Sequence, residues 1–157
     1  MLSLYQVFLK SKGGDYLKEK NTDDLKIELM ESPDLDEFLS ENEKNFNSES
    51  IADTLNDLLI RKNIQKSVLA KQAGISEVYL HQIFAGKRNP SRNRLLCLCY
   101  GLDATLEETQ LLLKNCGAAQ LFSSNRRDAI IIFGIVHKVD LFRINDKLFA
   151  EDEETLF

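Results

Sequence analysis

The clearest hydrophobic pattern in the chain is Ile51, Leu55, Leu58 and Leu59, which sit at i, i+4, i+7 and i+8 and define one stripe of an amphipathic helix. Ser50 is placed to cap it, with Asp53 three positions on, and Asn63 breaks the pattern. A second helix is expected over residues 66–73, with Ile64 placed to staple onto Leu69. Gly74, Ile75 and Ser76 read as a turn, and Ser76 caps a third helix that reaches Phe84 and stops at Gly86. Pro90 and Ser91 open a fourth, carrying Leu95, Leu96, Leu98 and Cys99 and ending near Gly101. Thr105 and Glu108 form a capping box that opens a fifth, closed by Gly117.

The flanks are also helical in pattern. Residues 1–20 offer a candidate helix (Leu4, Val7, Phe8) stopped by Gly13 and Gly14. Residues 22–30 follow with Leu25 and Leu29 at helical spacing until Pro33, then an acidic helix over 34–43 with Leu35, Phe38 and Leu39 on one face. Residues 42–50 are polar and read as a linker. Beyond Gly117 the chain repeats itself: residues 106–122 align without gaps to 141–157, an offset of 35 that pairs Leu106 with Leu141, Leu113 with Leu148 and Leu121-Phe122 with Leu156-Phe157. Upstream, Cys99-Tyr100-Gly101-Leu102 matches Ile132-Phe133-Gly134-Ile135 at an offset of 33, as do Ser91 with Ser124 and Arg94 with Arg127. A duplicated helical hairpin, the second copy packed on the first, requires two helices across residues 126–149.

The second and third helices meet the demands of a helix-turn-helix. Two helices that cross closely need a small residue midway along the first, which is Ala70. Four positions later the turn needs a residue tolerant of positive φ, which is Gly74, followed by the apolar plug Ile75. The following helix buries Leu80 and Ile83, with Tyr79 and Phe84 at the edges, and leaves Glu77, Val78, His81 and Gln82 free. A structural hairpin without a nucleic-acid role would satisfy the same spacing, and charge separates the two readings. The whole chain is acidic, with a net charge of -5. Residues 61–94, however, carry Arg61, Lys62, Lys66, Lys71, Lys87, Arg88, Arg92 and Arg94 against Glu77 alone, whereas residues 1–49 hold twelve acids and six bases. Nucleic-acid affinity follows the local field, not the sum.

Leu69-Ala70, Ala73-Gly74-Ile75-Ser76, Tyr79-Leu80, Ile83 and Gly86-Lys87-Arg88-Asn89-Pro90-Ser91 resemble the lambda-repressor/Cro-like (XRE-type) family of bacterial and phage regulators. Leu106-Glu107-Glu108-Thr109-Gln110 and residues 126–131 extend the resemblance to Gram-positive regulators that add helices on both sides of the module. The resemblance implies an all-α fold: a five-helix lambda-repressor-like DNA-binding domain over residues 50–117, an acidic helical extension over 1–49, and a C-terminal helical hairpin over 118–157. It implies a homodimer on a two-fold double-stranded operator, with helix 76–84 in the major groove. Ser76, Glu77, Val78, His81 and Gln82 become the base-contacting candidates, and Lys66, Lys87, Arg88 and Arg92 the phosphate-contacting ones. Gln82 has the best chemistry, since a carboxamide can pair bidentately with adenine, and Val78 suits a thymine methyl. Two positions depart from the family's pattern: Gln65 and Lys66 stand where Ser or Thr and then Gln are usual, and Glu77 brings an anion toward DNA.

Other chemistries are poorly represented. No nucleophile–base pairing and no phosphate-cradling glycine loop occurs, so no enzyme and no cofactor are expected. His81 and His137 lie far apart, and Cys97 and Cys99 fall on opposite faces of a helix, so no metal site is expected. Three cysteines within apolar helical text read as reduced core thiols of a cytoplasmic protein. No apolar run approaches the ~20 residues of a membrane span, and Lys10 and Lys12 follow the apolar start where a signal peptide would have its charges first. The rival reading is an adaptor or antitoxin-like subunit whose added helices bind a partner protein, through Leu25, Leu29, Phe38 and Leu39 if these lie exposed.

Overall fold

The computed structural model describes residues 22–46 and 50–157, which hold ten α-helices and no strand. They fall in two compact units, residues 1–48 and 49–157. The candidate helix over residues 1–20 lies outside the described residues.

The first unit contains α1 (Thr22–Glu31), α2 (Leu35–Glu41) and α3 (Glu43–Phe46). Pro33 separates the first two, and Asp34 caps α2 from an extended backbone, accepting from the Asp36 amide at 2.9 Å. The expectation of a linker from residue 42 onward is corrected here. Asn42 is buried, and its carboxamide donates to the Phe38 carbonyl (3.0 Å) and to Glu28 (2.9 Å), turning the chain into α3. Phe46 then brings its ring within 6.0 Å of Phe38. A polar run concealed this helix because its apolar anchor comes at its last residue.

The second unit contains α4 (Ile51–Lys62), α5 (Lys66–Gln72), α6 (Glu77–Phe84), α7 (Arg92–Gly101), α8 (Leu106–Asn115), α9 (Arg126–Val136) and α10 (Leu141–Ala150). Six of these helices start alike. Ser50, Ser76, Ser91, Thr105, Asn125 and Asp140 each accept, through the side chain, the backbone N–H three residues on. Each such cap contributes about 1 kcal/mol. Only α5 lacks one: Gln65 occupies its cap position and its side chain makes no capping bond. The apolar stripes converge on one core in which Leu55, Leu69, Leu80, Leu96, Leu98, Leu113, Ile131 and Leu148 have no more than trace exposure. Cys97 and Cys99 belong to it. Burial pushes their thiols up to about 11 and about 12, so neither ionises near neutral pH.

The hairpins α7–α8 and α9–α10 are related by an offset of 35 from Arg92 and Arg127 onward, although their first caps, Ser91 and Asn125, stand 34 apart. Left-handed residues close the first helix of each at Asp103 and Lys138, and the second at Gly117 and Asp152. The same closing bonds recur: Ala104 N–H to Cys99 carbonyl and Val139 N–H to Gly134 carbonyl, both 2.9 Å. Gln110 clamps its hairpin's tail, accepting from Leu121 N (2.8 Å) and donating to Leu121 O (2.7 Å). Its equivalent, Asn145, accepts from Leu156 N at 2.6 Å. Arg92 Nε donates to Ala119 O and Arg127 Nε to Glu154 O, each at 2.7 Å. The offset of 33 read upstream is therefore corrected. It came from aligning Gly101 with Gly134, and these glycines answer different packing needs. A Cβ on Gly101 would lie 2.7 Å from Leu69 Cδ1 of α5, whereas one on Gly134 would run into Tyr100 Oη and the Ile144 side chain.

Contacts between the copies are reciprocal. Arg92 Nη2 donates to Asp128 (3.0 and 3.1 Å), and Arg127 Nη2 donates to Asn93 Oδ1 (2.9 Å), where 92 and 127, like 93 and 128, are equivalent positions. Asp103 and Lys138, equivalent to each other, form an ion pair at 2.7 Å. Such swapped pairs are the mark of an isologous two-fold contact, here closed within one chain.

Candidate nucleic-acid interface

Ala70 in α5 and Ala73 at its end are 3% and 0% exposed, small side chains that let neighbouring backbone come close, Gly101 of α7 among it. Gly74 has φ +64 and turns the chain at no steric cost. Ile75 plugs the space beneath and bonds back through its N–H to Ala70 O at 2.9 Å. Ser76 then starts α6, its hydroxyl accepting from Tyr79 N at 3.2 Å. Leu80 and Ile83 anchor α6 in the core.

With that face buried, Ser76, Glu77, Val78 and His81 stand in solvent on the same helix, and Val78 is 71% exposed. Gln82 is half-buried at the edge of this face. Its carbonyl accepts from both Lys87 N (2.9 Å) and Arg88 N (3.2 Å), which folds the exposed loop after Gly86 back onto the end of α6. The Lys66 ammonium lies over the Phe84 ring, 5.2 Å from its centroid, at the same end of the helix.

The basic patch divides into two populations. Arg61 and Lys62 pair with Glu108 of α8 at 3.7 and 3.0 Å. Arg92 donates through Nε and Nη2 to Ala119 O, Gln120 O and both oxygens of the buried Asp128. It joins the two hairpins through these two nitrogens, which ties the guanidinium to Asp128. Lys66, Lys71, Lys87 and Arg88, by contrast, form no ion pair among the described residues. Lys71 was not singled out from the sequence. It is exposed in the last turn of α5, just before the Gly74 turn, and its membership of the basic cluster was the signal.

This is the geometry of a helix-turn-helix module, with a supporting helix, a glycine turn and an exposed second helix flanked by cations that pair with no described carboxylate. Residues 55–103 match the family model described as Helix-turn-helix, and the chain contains an XRE/Cro-like helix-turn-helix domain there. No curated protein and no solved structure matches the chain significantly. A domain of this kind suggests DNA binding and transcriptional regulation. No described helix is long and apolar enough to cross a membrane.

Proposed function

We propose that the protein regulates transcription by binding a two-fold DNA operator as a homodimer, with α6 in the major groove. The observation that carries this reading is the exposed face of α6 set beside cations that no carboxylate among the described residues neutralises. Ser76, Glu77, Val78, His81 and Gln82 face base edges: Gln82 suits adenine, Val78 a thymine methyl, and Glu77 a cytosine amino group. Lys66, Lys71, Lys87 and Arg88 contact phosphates, and Arg92 does not. Residues 50–117 act as the reading module and residues 118–157 as the hairpin that supports it.

Fluorescence anisotropy with duplexes selected from a random pool tests the reading. Arg88→Ala should weaken binding on every sequence and reduce the salt slope by about 0.9, the release accompanying one phosphate contact. Gln82→Ala should instead relax discrimination at one base pair by about 1–3 kcal/mol. A wild-type protein that enriches no sequence would overturn the proposal. A second reading, attachment to a partner protein, loses the contiguous face of Leu25, Leu29, Phe38 and Leu39, because Phe38 is buried and Leu25 half-buried. It draws instead on Ile27, Met30 and Leu35, which are 54%, 76% and 60% exposed in the first unit. Replacing these three by serine should leave DNA binding intact if they serve a partner alone.

A further inference from the structure

The turn that sets α6 has a second support, from far along the chain. A Cβ on Gly74 would lie 3.6 Å from Phe157 Cε1 and 3.9 Å from Phe142 Cζ, so two rings face the glycine turn at the distance where an alanine methyl would touch them. Phe142 is in the first turn of α10 and Phe157 in the tail beyond it, and their rings meet edge-on with centroids 5.5 Å apart. The tail is well anchored. Asn145 holds Leu156 N, Arg127 holds Glu154 O, the Asn93 carboxamide donates to Glu154 Oε1 at 3.1 Å, and Leu156 is 2% exposed. In the first hairpin the equivalents of the two rings are Glu107 and Phe122. The aromatic pair is thus a property of the second copy, set on top of locks that both copies share.

We propose that Phe142 and Phe157 are positioning residues for DNA recognition: they hold the glycine turn, and through it the angle at which α6 presents Ser76, Val78, His81 and Gln82. The inference rests on the DNA reading of α6. Leu80 and Ile83 anchor the middle of α6, and packing on the turn restrains the backbone freedom that Gly74 leaves at its start. Base readout tolerates displacements of only about 0.5 Å and 10–20°. A small loss of order at Gly74 therefore reaches the DNA as lost discrimination.

Full-length Phe157→Ala and Phe142→Ala are compared with wild type on a duplex selected by the wild-type protein and on a scrambled duplex of equal length. Affinity for the selected duplex should fall about tenfold, the worth of one aligned base contact. Affinity for the scrambled duplex, which depends on phosphates, should hold. Phe157→Leu, which keeps apolar bulk, should recover most of the loss. The Gly74 and Ile75 amides, bonded to Lys71 O and Ala70 O, should exchange about tenfold faster in the alanine variants while those of α7 keep their protection. Equal losses on both duplexes, or unchanged exchange at the turn, overturn the inference; so does unchanged affinity for both. If wild type selects no duplex, the DNA reading is what fails. Faster exchange would then still show the rings holding the turn, and unchanged exchange would sink both.

Discussion

The hairpins α7–α8 and α9–α10 share their backbone locks and core leucines and differ at the faces they turn to other neighbours. In both, a carboxamide clamps the tail, an arginine hooks a tail carbonyl, and left-handed residues close each helix at matching places. On those faces the side chains have gone separate ways. Leu98 and Gly101 of the first copy are buried, Gly101 against α5, while their equivalents Phe133 and Val136 are 56% and 53% exposed. Arg92 meets a carboxylate, and Arg127 meets a neutral amide. Unpaired buried backbone groups are costly in any setting, so their partners persist, whereas an apolar face has value only where a neighbour covers it. The first copy lies within the residues 50–117 proposed as the reading module, and the second meets the Gly74 turn through its tail.

The sharpest test of this contrast lies at the reciprocal arginine contacts. Asp128→Ala leaves Arg92 without its carboxylate and the Phe122 N–H without its acceptor, 3.0 Å away. It should cost about 3 kcal/mol or more in urea unfolding, the usual penalty for breaking a largely buried pair. Asn93→Ala removes a neutral acceptor at the equivalent place and should cost about 1 kcal/mol. Equal penalties would mean that the two contacts are energetically as symmetric as they are geometrically. The carboxamide clamps come next. Gln110→Ala breaks two short bonds to Leu121 and should cost about 2 kcal/mol. Asn145→Ala breaks one short bond and one of 3.4 Å, and should cost about 1 kcal/mol. A larger loss at Asn145 would show the second tail to be the more important of the two. At the contact shared by both copies, Lys138→Ala removes an exposed ion pair with Asp103, and the urea midpoint should move by less than about 1 kcal/mol in equivalent stability.

Much of the reading module was legible in the sequence because its demands are local. Ala70, Gly74, Ile75 and Ser76 each satisfy a steric or capping requirement that involves only the next few residues. The Thr105–Glu108 capping box was visible for the same reason, and so was the offset between residues 106–122 and 141–157. Legibility failed where a residue's partner is distant. Arg92 looks like any other cation of the basic patch until Asp128, 36 positions on, is brought beside it. Asn42 looks like a linker residue until Phe38 and Glu28 enclose its carboxamide. Phe157 looks like the apolar end of a tail, and nothing in its neighbourhood in sequence points to Gly74. The slip from 35 to 33 has a related origin: glycine is conspicuous in a sequence, but what makes a glycine necessary is the atom it admits.

The smallest predicted effect separates the hairpins by their response to acid. At the start of α8, Glu108 closes the capping box by accepting from Thr105 N at 2.9 Å, and it also receives Lys62 at 3.0 Å. At the start of α10 the equivalent residue is Arg143, so the second hairpin has no carboxylate at that place. Burial by itself would raise the Glu108 carboxyl, but the Thr105 amide, Lys62 and Arg61 outweigh it and hold the group below its usual range. A carboxyl held low in the folded state binds its proton more readily once the chain unfolds. Its stabilisation is therefore present above the unfolded value, about 4.3, and is lost as pH falls through the folded one. The group is partly exposed, so the contribution should stay below about 1 kcal/mol. Urea unfolding of wild type and Glu108→Gln across pH 3 to 7 reads it out. Wild type should be the more stable near neutrality, and the gap should close on the acid side. A constant gap would mean that Glu108 acts by packing alone, and that the two hairpin starts do not differ in charge where stability is concerned.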